Sequence, residues 1–278
     1  MITIQCLVDN TVLTGSTYWG EHGVSFYIQS PAGCMLFDTG QSGEVLLHNA
    51  KQMKINLRDI DALAISHAHL DHTGGLHSFL TKCKPKIPLY ANPDLFRKRY
   101  AWREGEAKSI GLKLSKKVLS QHSSLCLNAD PLEILPGIWT SGEISDRLEF
   151  EGRSSRHHIR VKGKWLPDPY RDDLSLIIEA GEGLILICGC CHAGLINTLS
   201  HVKRKFQKDI VAVIGGTHLT SATEEMLEHT IDYLRRLNNG AMPVLYLNHC
   251  TGERAHLTLV QNLGGNVQAC PAGMTITF

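Results

Sequence analysis

The run Ser66-His67-Ala68-His69-Leu70-Asp71-His72-Thr73-Gly74-Gly75 places four metal-ligating side chains within six positions, directly after an apolar stretch and before a Gly-Gly turn. Neutral imidazole and carboxylate are the donors that zinc and similar first-row cations take. Where a strand runs out into a loop, alternate side chains diverge, so His67 and His69 can face one way while Asp71 and His72 face another. Two adjacent ligand groups suit two metals that share one bridging water. One His-x-His is common by chance; His-x-His-x-Asp-His behind a buried strand is specific.

One loop cannot complete such a site. Three more histidines each follow an apolar run: His192 in Cys188-Gly189-Cys190-Cys191-His192-Ala193-Gly194, His218 in Gly215-Gly216-Thr217-His218-Leu219, and His249 in Asn248-His249-Cys250-Thr251-Gly252. If the three preceding strands share a sheet, their ends share an edge and the rings converge there. Each alone is explained as well by a satisfied core or edge histidine; all three at strand ends are not. Cys188, Cys190, Cys191 and Cys250 lie beside these positions. A thiolate would suit zinc, but free cysteine also packs as a small buried hydrophobe. Packing is the preferred reading, with Cys190 the position left most open.

The elements that must position these groups follow from the apolar pattern. Thr3–Val8, Val24–Ile28 and Cys34–Phe37 read as an antiparallel meander ending at Asp38-Thr39-Gly40, followed by a helix near Glu44–Met53 and a buried strand at Ala62–Ser66. In the second half, Leu174–Glu179 and Leu184–Cys188 form a hairpin about Gly181-Glu182-Gly183. A helix at Ala193–Phe206 and a strand at Ile210–Ile214 follow. Ser221-Ala222-Thr223-Glu224 has the capping-box pattern of a helix start. A strand at Val244–Leu247 and a helix at Gly252–Leu263 complete the half. Strands followed by helices in both halves suggest two packed sheets with helices outside. The segment of about 77–170 is less regular and reads as an elaboration over one face of a single domain spanning 1–278.

Composition removes several function classes. With 28 Lys+Arg against 27 Asp+Glu, the net charge of +1 gives no basic excess for a nucleic-acid backbone. No apolar stretch approaches the roughly 18 residues that cross a bilayer. The start, Met1-Ile2-Thr3-Ile4, lacks the basic and apolar regions of a secretory signal. Nine cysteines, odd in number and scattered, fit a reducing cytoplasm.

The His67–His72 motif, Asp38-Thr39-Gly40 and the strand-end histidines resemble the metallo-β-lactamase superfamily. The segments Glu21-His22-Gly23, Asp172-Asp173-Leu174-Ser175-Leu176, Gly189–Gly194, Gly215–Leu219 and His249–Gly252 narrow the resemblance. They are similar to the subgroup that contains a dihydropterin-methyl-ribofuranosylaminobenzene-phosphate synthase and many uncharacterised bacterial relatives. The resemblance implies an αββα sandwich of two packed mixed β-sheets with outer helices and a metal site at one edge. It assigns His67, His69 and His192 to one metal and Asp71, His72 and His249 to the other. Asp38 would orient the ligand loop through hydrogen bonds. His218 would be either a further ligand or a group facing the substrate. The cofactor implied is Zn²⁺, one or two ions, with Mn²⁺, Fe²⁺ or Mg²⁺ as alternatives. Hydrolases of the superfamily carry an Asp that bridges both metals; the comparable position here is Gly189-Cys190, without a carboxylate.

The expected function is hydrolysis of an anionic, phosphorylated small molecule by a metal-activated water. Asp71 would position the nucleophile, and the other metal or His218 would stabilise the developing oxyanion. His22, Arg156, His157 and His158 would contact the substrate, and Tyr100, Trp102, Trp165 and Tyr170 could stack on a flat ring such as a pterin. A solvated, basic helix face and loop is the plainer reading of that middle segment. The first alternative is a condensing synthase that releases pyrophosphate from a dihydropterin diphosphate. The second is a metal-containing ligand-binding protein without turnover.

Overall fold

Neighbouring residues of a strand face opposite sides, and in this chain both sides are apolar. Met35 and Phe37 point into one buried cluster while Leu36 points into another; Ile185 and Ile187 part from Leu184 and Leu186 in the same way. A strand with two apolar faces must be covered twice, which forces four layers. The computed structural model, which describes residues 1–181 and 183–278, has that architecture. Glu182, which the sequence reading puts in the hairpin connection, lies outside the described residues.

The first sheet has seven strands in the order Thr275–Thr277, Thr3–Val8, Ser25–Ser30, Gly33–Phe37, Ala62–Ala64, Ile87–Ala91 and Ser123–Leu127. The second, also seven-stranded, runs Val267–Ala269, Val244–Asn248, Asp209–Gly216, Gly183–Cys188, Ser175–Ala180, Ile138–Thr140 and Glu133–Leu135. Between them Phe26, Ile28, Met35 and Phe37 meet Leu176, Ile178, Ile185 and Ile187. Each such side chain contributes about 1.5–3 kcal/mol on burial. Outside the first sheet lies the helix Glu44–Gln52; outside the second lie Leu195–Phe206, Glu224–Arg236 and Glu253–Leu263. The expected αββα sandwich is therefore present, and both sheets mix parallel with antiparallel pairs.

The parallel pairs set the site. Cys188 registers with Gly215, and Gly216 with Asn248, so three strand ends are level. In the first sheet Phe37 registers with Ala64, so Asp38 and the His67–His72 loop leave from one edge as well. Grooves outside the carboxyl ends of parallel strands are where α/β proteins bind ligands.

Two expectations need correction. The segment of about 77–170 is not one elaboration: Ile87–Ala91, Ser123–Leu127, Glu133–Leu135 and Ile138–Thr140 extend the two main sheets, because their apolar residues pack into the core clusters. What stands apart is a third, four-stranded sheet in the order Lys164–Pro167, His157–Val161, Arg99–Arg103 and Glu106–Ser109. The helix after Ser221 starts at Glu224, and its cap is Thr223, whose Oγ1 accepts from the Met226 N–H at 3.2 Å. Among the described residues, no helix is long and apolar enough to cross a membrane.

Candidate metal centre

Asp38 is buried at the end of Gly33–Phe37 with φ at +59°, a conformation Asp tolerates better than bulkier residues. Its Oδ1 accepts from the Ser66 N–H at 2.7 Å, and its Oδ2 accepts from Ser66 Oγ at 2.6 Å and lies 2.7 Å from His72 Nδ1. Ser66 Oγ also lies 2.9 Å from His67 Nδ1. One carboxylate thus fixes the loop's start and commits the inner nitrogen of His72, leaving Nε2 free. Across the gap, Gly189 approaches so closely that a Cβ there would lie 2.8 Å from Asp38 Oδ2. Only a residue without a side chain lets the second sheet's loop lie this close to the first.

The rings converge as the spacing implied. His67, His69 and His192 present ligand atoms all within 4.8 Å of one another, with ring centroids 4.6–4.7 Å apart. Asp71 Oδ2 lies 3.3 Å from His249 Nε2 and 3.7 Å from His72 Nε2, so the other expected group also meets. His22 joins it, with Nε2 3.3 Å from the same oxygen. His249 is aimed by Asn10, whose Oδ1 lies 3.0 Å from its Nδ1, while Asp9 accepts its backbone N–H at 2.8 Å. His218 stacks at a tilt on His192, centroids 4.2 Å apart, with φ at +54°. Cys191 and His249 also have positive φ. Such conformations cost on the order of 1–3 kcal/mol each and gather at functional sites.

Six imidazole nitrogens are buried without a hydrogen-bond partner among the described residues: Nε2 of His67, His69, His72 and His249, and both nitrogens of His192. An unsatisfied buried polar atom costs about 1–3 kcal/mol. Idle nitrogens aimed inward beside a carboxylate fit a divalent cation, whose ligands must be neutral imidazole and ionised carboxylate. Burial, and then the neighbouring imidazoles, push His67 and His192 well below the ordinary histidine range; burial and His157 do so for His69. For His72, burial is overridden by Asp38 and Asp71, which raise it to about 9; the proton these carboxylates favour is one a cation can replace. Burial opposes ionisation of Asp71, yet His72, His22 and His249 hold its carboxyl well below the usual range.

Of the expected substrate contacts, His22 and His157 line a cavity of about 350 Å³ over the centre, with Arg103 at its rim. Burial lowers His157 to about 4, and its Nδ1 lies 2.9 Å from the Tyr170 hydroxyl. Tyr170 in turn stacks on His192 at 4.5 Å and 12°. Arg156 lines a second cavity of about 270 Å³ that meets the first at His192 and His218. His158 is not brought to the site. Strand alternation turns it away from His157, and its ring lies against Trp102. Trp102, Trp165 and Tyr100 pack on one another in the third sheet, away from both cavities.

Sequence reasoning missed several supports. Asp172 Oδ2 accepts from the Ala68 N–H at 2.8 Å, between His67 and His69, and Asp173 Oδ2 accepts from the Ala193 N–H at 2.7 Å, beside His192. Adjacent carboxylates thus tie together the loops of one ligand group. Arg99, fully buried, reaches from the third sheet to Asp172 at 2.6 Å, Asp168 at 2.9 Å and Asp94 at 3.0 Å. Two adjacent Asp ahead of a strand were the only signal.

The four-layer fold and this donor set define a class, and the metallo-β-lactamase superfamily pattern matches residues 18–193. The chain belongs to that superfamily. It is 31% identical, over its whole length and 97% of the other's, to the 7,8-dihydropterin-6-methyl-4-(β-D-ribofuranosyl)-aminobenzene-5'-phosphate synthase of Methanocaldococcus jannaschii. An uncharacterized protein of the same organism is 30% identical over 93% of this chain and 94% of its own. Among solved structures, Tm1679, titled a metal-dependent hydrolase of the β-lactamase superfamily, superposes with a TM-score of 0.84 at 25% identity, covering 100% of this chain and 99% of that one.

Proposed function

We propose that this chain is a metal-dependent enzyme that hydrolyses an anionic, phosphorylated small molecule. The observation that carries the reading is the set of idle imidazole nitrogens around Asp71, open to a cavity with Arg103 at its rim. His67, His69 and His192 would hold one divalent metal, and Asp71, His72 and His249 the other; Zn²⁺ is the cation these donors suit best. When bound, such a metal supplies Lewis acidity and an activated water. Asp71, ionised and open to the cavity, orients the attacking water. His218, where the two cavities join, faces the oxyanion that develops on the substrate. Arg103 and Arg156 flank that position and hold the anionic group, with His22 and His157 closing the mouth. The scattered cysteines and near-neutral charge support a cytoplasmic small-molecule enzyme rather than one acting on nucleic acid.

The full-length likeness to the pterin synthase favours a second reading, in which the same residues assist departure of pyrophosphate from the pterin methylene carbon as the aminobenzene nitrogen bonds to it and gives up a proton. The two separate in one experiment. Metal-loaded wild type and His69→Ala are tested on phosphomonoesters and phosphodiesters in ¹⁸O-water, and on a dihydropterin diphosphate with the aminobenzene ribofuranosyl phosphate. Hydrolysis predicts ¹⁸O in the product and its loss in His69→Ala. Pyrophosphate release that needs both partners and takes up no label selects the synthase. Turnover that survives in His69→Ala, or none by a metal-loaded wild type, sets both aside.

A further inference from the structure

We infer that Tyr170 is a positioning residue: its hydroxyl fixes His157 in the tautomer that carries the proton on Nε2, so that the ring donates a hydrogen bond into the cavity over the centre. The inference rests on the reading of that cavity as the place of the anionic substrate. Tyr170 is buried, yet its backbone sits at φ +46°, where a bulky side chain is disfavoured. Three hydrogen bonds hold it there. Its N–H donates to Asp168 Oδ1 at 2.9 Å, and its carbonyl accepts from Arg147 Nη2 at 2.8 Å and from the Asp173 N–H at 3.3 Å. Strain that is over-determined in this way gathers at functional sites. The fixed backbone lays the ring flat on His192, 4.5 Å between centroids, and brings the hydroxyl to 2.9 Å from His157 Nδ1. Phenylalanine would stack on His192 as well. The hydroxyl has its use at His157.

A neutral imidazole has one nitrogen that donates and one that accepts, and the partner of the first settles what the second offers. A phenol is the stronger donor of this pair and an imidazole nitrogen the stronger acceptor, so the phenol proton points at Nδ1. Ser154 gives the phenol oxygen a further side-chain hydrogen bond, which leaves the phenol's own proton for His157. Nε2 then carries the ring proton and is left to the cavity that the ring lines. The opposite tautomer would turn a lone pair toward the same space. That lone pair would repel a substrate oxygen and, on a ring 4.9 Å from His69 and 5.8 Å from His192, compete with them for the cation. His157 belongs to none of the ligand-atom groups among the described residues, as a donor beside the centre should. The hydroxyl of Tyr170 thus keeps one histidine of the cluster out of the ligand set and gives it to the substrate.

The test uses the full zinc-loaded chain labelled with ¹⁵N-histidine. Long-range ¹H–¹⁵N spectra report which ring nitrogen carries the proton, and the signals that vanish in His157→Ala are those of His157. Wild type should show a neutral His157 protonated on Nε2. Tyr170→Phe keeps the ring on His192 and removes only the hydroxyl; it should keep its zinc and its fold and show a mixture of both tautomers. Inorganic phosphate, titrated by calorimetry, should bind Tyr170→Phe roughly 3–10-fold more weakly than wild type, as loss of about one hydrogen bond implies. His157→Ala should bind it at least as weakly. The double variant should be no weaker than His157→Ala, because the hydroxyl acts through the imidazole. A wild-type proton on Nδ1 or on both nitrogens, an unchanged tautomer in Tyr170→Phe, additive losses, or zinc lost from Tyr170→Phe overturns the inference. Zinc-loaded wild type that binds no phosphate strikes instead at the reading of the cavity, and the spectra by themselves still decide the role of Tyr170.

Discussion

The centre is built from two regions that solve one problem differently. On the first-sheet side, His67, His69, Asp71 and His72 come from six consecutive residues, and side chains aim them: Asp38, Ser66 and Asp172 hold the loop at three points. On the second-sheet side, His192, His218 and His249 come from three loops spread over 58 positions. There the level ends of parallel strands do the positioning. A short loop has little register of its own and needs hydrogen bonds to fix its rotamers; strand ends inherit their spacing from the sheet ladder.

The strongest test of that comparison removes one ligand of the same group from each region. His69→Ala and His192→Ala should both deplete the metal and cut turnover by more than the roughly 100-fold that loss of a supporting partner can cost. Elemental analysis beside an activity assay reads both. Full metal content in His192→Ala with depletion in His69→Ala would make the second region a bystander.

The loop's buried support comes next. Arg99 serves three carboxylates, so Arg99→Met leaves Asp168 and Asp172 without their cation, while Asp94 keeps Arg97 at 2.7 Å, and should destabilise by about 3–5 kcal/mol. The pH dependence carries a signature. Burial raises Asp172 to about 7 in spite of Arg99. Between the ordinary aspartate value of 3.8 and about 7, the folded chain therefore holds more protons than the unfolded one, and this group makes stability fall as pH rises. Without the guanidinium the Asp172 carboxyl should rise further. The deficit of Arg99→Met should then stay level below about pH 7 and grow above it. Urea denaturation of the metal-free protein measures it, and a pH-independent deficit would mean that Arg99 acts by packing alone.

Asp38 offers a milder change in the same region. Asp38→Asn keeps the size and the positive φ but cannot accept from Ser66 and His72 as a carboxylate does. Metal affinity, titrated against a chelator, should fall about 10–100-fold with little change in secondary structure. An unchanged affinity would show that Ser66 alone aims the loop.

What could be read in the sequence follows the same division. The contiguous ligands are legible because one loop contains them, and His192, His218 and His249 because each follows an apolar run whose period reveals a strand. The sandwich is legible because residues such as Met35, Leu36 and Phe37 are all apolar, which only a strand covered on both faces requires. The supports are not legible in this way. Arg99 and Asp172 are 73 positions apart, and Asn10 and His249 are 239 apart. No local period joins such pairs; only the closed fold does.

The smallest effect separates two adjacent histidines of the third sheet. His157 lies over His69 at 4.9 Å and lines the cavity, while His158 faces Trp102 on the opposite side of the same strand. Composition and position along the chain treat them alike; only the period of two distinguishes them. His158→Ala should leave turnover, metal content and stability unchanged, the last within about 0.5 kcal/mol as for other surface changes. His157→Ala should raise KM severalfold at constant metal content, because it removes a wall of the cavity and no ligand. Steady-state kinetics on the two variants decide it. Equal effects would mean that the third sheet acts on the centre as a rigid cover, and that the alternation along His157–Val161 has no bearing on substrate.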